Sequence, residues 1–179
     1  MRLRLCALVA SGLIVSVICG AQTNAPLRLE KEIPLPDVKG RIDHLSVDTK
    51  DQRLFVSGLG NGTVEVVDIK QGRRVHEIGG LKEPQGLLYD ARSNRLFVAS
   101  GGDGTLSAYD GNSFALLKTV ELRDDADNLR YDTQRKQVIV GYGSGGLASF
   151  DTNLQKIADI KLPSHPESFQ LQQHDSRML

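Results

Sequence analysis

Leu96-Phe97-Val98-Ala99-Ser100-Gly101-Gly102-Asp103-Gly104-Thr105-Leu106 decides the fold. Two short apolar runs flank a turn rich in glycine and aspartate, a pattern that belongs to strands rather than helices. At an interval of 42 residues upstream stand Leu54-Phe55-Val56 and Asn61-Gly62-Thr63-Val64, and at the same interval downstream stands Val138-Ile139-Val140. Asp48, Asp90 and Asp132 keep that spacing, and Asp68, Asp110 and Asp151 follow at 42 and then 41. A fourth copy opens at Pro166-Glu167-Ser168-Phe169-Gln170-Leu171 and reaches Met178-Leu179 where Val138-Ile139 stands one repeat earlier. Self-similarity at such a period is the mark of a repeat architecture.

Four strands fit each copy. In the first they are expected at 44–47, 53–57, 63–69 and 74–78, with Asp48, Asp90 and Asp132 opening the first turn of successive copies, where a carboxylate can bond its own backbone two residues on. Asn61-Gly62 and Asp103-Gly104 predict tight hairpins with positive φ at both central residues, and Gly143-Ser144-Gly145-Gly146 takes their place in the third copy. Four-stranded units at about 40 to 45 residues are blades of a β-propeller, which bury their faces only against one another. The expected fold is therefore all-β: an incomplete arc of about four antiparallel blades, at 41–83, 84–125 and 126–165 with a truncated blade at 166–179. The absence of tryptophan argues against the WD40 version. Residues 28–36 align with the fourth strand of the third copy and are expected to be an outer strand that closes the ring with the far end of the chain.

The Pro84-x-Gly86 entry to an inner strand, the Arg95-Leu96-Phe97-Val98 second strand and the Gly-Thr-Val/Leu…Asp third strand resemble the YVTN-type repeats of YncE-like β-propellers, over residues 28 to 179. No copy carries the literal Tyr-Val-Thr-Asn. The resemblance implies a seven-bladed ring, of which this chain would be about half; a short chain that completes its ring by homo-oligomerisation is the alternative. It also implies an exported, non-enzymatic binding or scaffold module.

Arg2 and Arg4, an apolar run from Leu5 to Ile18 and a small-residue exit at Cys19-Gly20-Ala21 predict a signal peptide over 1–21, with a short linker at 22–27. Lipid attachment at Cys19 is the alternative. The run is shorter than the roughly 20 residues of a spanning helix, so no transmembrane helix is expected after cleavage, and the periplasm or the extracellular space is the expected destination. Both cysteines, Cys6 and Cys19, fall in this leader, so neither a disulfide nor a thiolate metal site is expected in the mature chain. The 22 basic and 22 acidic residues contain no Lys/Arg run, which disfavours nucleic acid as a partner.

Propeller geometry gathers the loops before each inner strand, together with the loops between second and third strands, around the mouth of the central channel. The first set carries Arg41, Asp43 and His44, then Glu83 and Gln85, then Asp124, Asp125, Asp127 and Asn128, then His165 and Glu167; Asn61, Asp103 and Tyr142 are expected to look on from the second. Asp43, Gln85, Asp127 and Glu167 hold equivalent places. Loops on a rigid scaffold commonly carry binding, so Arg41, Asp43, His44, Gln85, Asp127, Asn128, His165 and Glu167 form the candidate ligand site, with a solvated polar rim as the plain alternative. Converging carboxylates favour a cation, calcium or another divalent ion, or an amine-bearing ligand, with Asp43, Asp127, Asn128 and Glu167 as candidate metal ligands. A metal-dependent hydrolase similar to propeller lactonases is the competing function. No residue is assigned as catalytic, and a phosphate cradle at Gly58, Gly60, Gly101 and Gly102 is disfavoured because no helix follows.

Overall fold

The computed structural model describes residues 27–172. The predicted signal peptide, the linker up to residue 26 and residues 173–179 of the truncated blade lie outside the described residues. Of the unit Met1–Glu30 the described part contains one exposed ion pair, Arg28 with Glu30. The described residues of the unit Lys31–Leu179 hold twelve strands in three antiparallel sheets.

The first blade is β1 (Leu45–Asp48), β2 (Arg53–Gly58), β3 (Thr63–Asp68) and β4 (Arg73–Ile78). The second is β5 (Pro84–Asp90), β6 (Arg95–Ser100), β7 (Thr105–Asp110) and β8 (Leu116–Glu121). The third is β9 (Ala126–Asp132), β10 (Gln137–Tyr142), β11 (Gly146–Phe150) and β12 (Lys156–Lys161). Each sheet pairs its strands in sequence order, so the chain is an all-β arc of up-and-down blades. Alternation along each strand then explains the cores. On β6, Leu96 and Val98 pack toward the first blade, with Phe55, Val64 and Val66, while Phe97 and Ala99 pack toward the third, with Leu129, Val138, Val140 and Phe150. The fourth copy forms no sheet among the described residues. Phe169 is buried against Ile139 and Leu147 of the third blade, and Leu171 makes an isolated bridge.

The aspartate turns form as the sequence indicates. Asp48 accepts from the amides of Lys50 (3.1 Å) and Asp51 (3.2 Å), and Asp90 and Asp132 repeat this with Arg92, Ser93, Gln134 and Arg135. The hairpins differ from expectation. Residues 59–62 make a four-residue connection, a 3-10 turn ending in left-handed Gly62 (φ 71°), whose amide returns to the Gly58 carbonyl at 2.9 Å. Neither Asn61 nor Asp103 has positive φ. With Gly58 facing Thr63 and Ser100 facing Thr105, four residues separate the strands, too many for the two-residue turn.

Residues 28–36 form no strand; residues 173–179, toward the far end with which they were expected to close the ring, lie outside the described residues. Each described third strand has its outer partner in β4, β8 or β12. From Lys31 onward the segment is a strap anchored at both ends of the first blade. The Lys31 ammonium donates to the carbonyls of Ile69 and Lys70 (both 3.2 Å), and Gly60 donates to the Arg41 carbonyl at 3.1 Å. Between these points Asp37 meets Arg74 at 3.6 Å, and Arg74 holds the buried Glu65 at 2.8 Å.

Candidate functional site

The loops before the inner strands and the loops between second and third strands do meet at one end of the arc. Gly60 bonds the Arg41 carbonyl, Gly101 and Gly102 bond the carbonyls of Glu83 and Lys82, and Gly143 bonds those of Asp124 and Asp125. Glu83 (φ 50°) and Asp125 (φ 44°) hold left-handed backbone at this mouth, a costly conformation for residues other than glycine.

The inner strands enter the blades through β-bulges. Pro84 faces Ser100 and Leu87 faces Val98, so Gln85 and Gly86 share the space of one partner residue; Ala126 facing Tyr142 and Leu129 facing Val140 leave Asp127 and Asn128 in the same state. In the first blade, Asp43 donates its amide to the Ser57 carbonyl and the Ser57 amide donates to His44. A regular strand would send neighbours to opposite faces, whereas a bulge re-aims one of them. Asp43 and His44, and likewise Asp127 and Asn128, thereby turn both side chains into one cluster.

In that cluster the amide of Asn128 is oriented by its partners. Its nitrogen donates to Asp127 Oδ2 (3.2 Å) and to the carbonyl of Glu167, and its oxygen accepts from His44 Nε2 at 3.1 Å. His44 Nδ1, the lone-pair nitrogen when the ring is neutral, faces Asp43 Oδ1 at 3.1 Å and Asp127 Oδ1 at 3.9 Å. His165 Nδ1 donates to the Gly143 carbonyl, which can only accept, so its Nε2 carries the lone pair in the neutral ring and faces Asp127 Oδ2 at 3.8 Å. Asp127 is 6% exposed, and neither its Oδ1 nor His44 Nδ1 has a hydrogen-bond partner among the described residues, the contact with Asp43 being close but poorly aligned. Burial raises the Asp127 carboxyl above its usual range, with Asp43 adding to the shift and His44 opposing it. For His165, burial alone would lower the ring, but the Gly143 carbonyl and the carboxylates of Asp125, Glu167 and Asp127 raise it above its ordinary value.

The remaining candidates attach to this centre. Arg41 pairs with Asp43 at 2.6 Å and is largely exposed. Gln85 donates to Asp125 at 3.2 Å, and Asp125 lies 3.6 Å from His165. All eight expected ligand-site residues thus belong to one connected network drawn from three blades and the 165–167 segment. The side chains expected from the other loop set do not join it: Asn61 bonds Thr63, Asp103 bonds Thr105, and Tyr142 bonds Asp159 at 2.7 Å. Of the expected metal ligands, Asn128 has both ends of its amide engaged and Asp43 is held by Arg41, whereas Asp127 and Glu167, together with His165, which was not among them, offer ligand atoms within 4.8 Å of one another.

No family model matches the chain, and no curated protein matches it in sequence. Solved structures do. The chain is similar to hydrazine synthase of Kuenenia stuttgartiensis (TM-score 0.66, 17% identity, 79% of this chain and 42% of that one). It is also similar to Sqt1 of Saccharomyces cerevisiae (0.64, 13%, covering 72% and 38%) and to a chain of the mitotic checkpoint complex (0.61, 18%, covering 69% and 40%). Its fold is that of an incomplete propeller. The chain spans about two fifths of the length of these solved chains, and at such identities the likeness speaks for the fold alone. Among the described residues of this propeller arc, no helix is long and apolar enough to cross a membrane.

Proposed function

We propose that the chain is an exported, non-enzymatic binding module of the YVTN-repeat kind, which recognises a small ligand or a partner protein at the channel-mouth face. The observation that carries this reading is the bulged entry to each inner strand. It aims variable side chains from equivalent positions of successive repeats, Asp43-His44, Gln85-Gly86 and Asp127-Asn128, into one network while the framework around them stays constant. Asp43, Asp125, Asp127 and Glu167 make this face acidic, with Arg41 as a partial counterweight, so a ligand or partner surface that presents a cationic group suits it.

The test is site-directed photo-crosslinking in the cells that make the protein, with the reactive group at Gln85 on the mouth or at exposed Gln71 on the β3–β4 turn. Adducts are expected from position 85 and weakened by Asp125→Ala. Adducts confined to position 71 would remove the channel face from consideration. N-terminal sequencing of the recovered protein, expected to begin at Gln22, checks export.

A further inference from the structure

Asp127 Oδ2 and His165 Nε2 face one another at 3.8 Å as two lone-pair donors, one an ionisable carboxylate and the other the free nitrogen of a ring whose opposite side is fixed by the Gly143 carbonyl. Two acceptors at that distance repel unless a cation stands between them. Among the described residues no lysine or arginine comes within ion-pairing distance of Asp127; the two imidazoles alone do. Its Oδ1 is buried without a hydrogen-bond partner, and Glu167, Asp127 and His165 each offer one ligand atom within 4.8 Å of the other two residues'. We propose that Asp127, His165 and Glu167 bind one divalent first-row transition ion of the zinc and manganese type, an inference that rests on the channel mouth being the binding face.

The donor set selects the ion. Calcium takes oxygen ligands, six to eight of them, whereas one imidazole with carboxylates suits zinc, manganese or iron. An ion about 2.1 Å from each of two ligand atoms 3.8 Å apart subtends an angle of roughly 130°, and a contraction of about 0.4 Å brings this to tetrahedral. The surroundings supply what ligands of such a site need. The Gly143 carbonyl fixes the tautomer of His165, and Asn128 holds Asp127 Oδ2 from behind, the orienting contacts that accompany metal-binding side chains. Three protein ligands leave a position open to a ligand arriving through the mouth. The sequence offered calcium or another divalent ion on Asp43, Asp127, Asn128 and Glu167; the proposed site keeps Asp127 and Glu167 and takes His165 in place of Asp43 and Asn128.

The experiment is isothermal titration of the chelator-treated, full mature chain at pH 7 with zinc, manganese and calcium chlorides, followed by cobalt(II) absorption for coordination. One zinc or manganese ion per chain is expected, with calcium at least about 100-fold weaker. His165→Gln and Glu167→Gln should each weaken zinc by at least about 100-fold, the upper range for losing even an orienting partner. Glu167 is exposed, so its variant serves where His165→Gln fails to fold. No saturable uptake, calcium preferred over zinc, or zinc affinity unchanged in the folded variants would each overturn the site and leave a proton as the bridge between Asp127 and His165. Any of these would leave the crosslinking result at Gln85 untouched, so the two readings fail separately.

Discussion

Gly86 lies close against the inner strand of the third blade: an added β-carbon would lie 1.9 Å from the carbonyl oxygen of Asp127. Its equivalents one repeat away are His44 and Asn128, whose side chains hydrogen-bond to each other over the second blade. Gly86→Ala is therefore expected to cost about 1–3 kcal/mol, the usual range for overpacking, and to break the His44–Asn128 bond, checked by urea unfolding and by the ring-nitrogen chemical shifts of His44. At this scale the sequence was partly legible. The aspartates at 48, 90 and 132 announced their turns because an Asx turn is a local interaction. Of the left-handed residues that close those turns, Asn94 is of a type that tolerates positive φ, but Gln52 and Lys136 were not legible, since nothing in their side chains favours it and the blade imposes it.

At the level of strands, the first residue of β2 and of β6 latches neighbouring blades. Arg53 forks onto Asp48 (2.6 and 3.0 Å), donates to the Gly111 carbonyl of the next blade and lies 5.4 to 5.8 Å from the rings of Phe55, Tyr89 and Phe114. Arg95 repeats the reach to Thr152 and Asn153, and Gln137 stands in the third blade's corresponding place. Burial alone would raise the Asp48 carboxyl, but the Arg53 hydrogen bonds and the Asp51 amide outweigh it and hold the group below its ordinary 3.8. A depressed folded value means that this contribution is complete above the unfolded value and is lost as pH falls through the folded one. The Asp48 contribution to the urea midpoint should then stay level from about pH 7 to 5 and drop below about pH 4. Asp48→Asn should start lower and show a shallower acid drop; an unchanged slope would place the acid sensitivity elsewhere, among Asp68, Asp110, Asp132 and Asp159, which are shifted the same way. Strand order and number were readable from period and turn residues. The bulges were not, because the extra residue at 43–44, 85–86 and 127–128 leaves the repeat length unaltered and shows only in the pairing register.

In the molecule as a whole, no blade has a core of its own. The second blade contributes Leu96 and Val98 to one cluster and Phe97 and Ala99 to the other, so the arc behaves as a chain of nearest-neighbour interfaces. Phe97 is fully buried at the interface of the second and third blades. Phe97→Ala is expected to cost about 3–5 kcal/mol and to split a single calorimetric transition into two, the third blade melting first. One transition at a lower temperature would show instead that the blades remain coupled through the channel mouth.

The hydrogen bond from His44 to Asn128 bears on how such a chain could be rearranged. Units of a tandem array are commonly treated as exchangeable parts, since each sees only its neighbours. Here the second unit is the exception, because it must be vacant at position 86 for the first and third to join hands across it. Copying the first unit into its place would put an imidazole, and copying the third an amide, into space that admits a hydrogen atom. The order of these repeats is thus fixed by the mouth they enclose, and a duplication or shuffle within the array would close the opening before it disturbed a single blade.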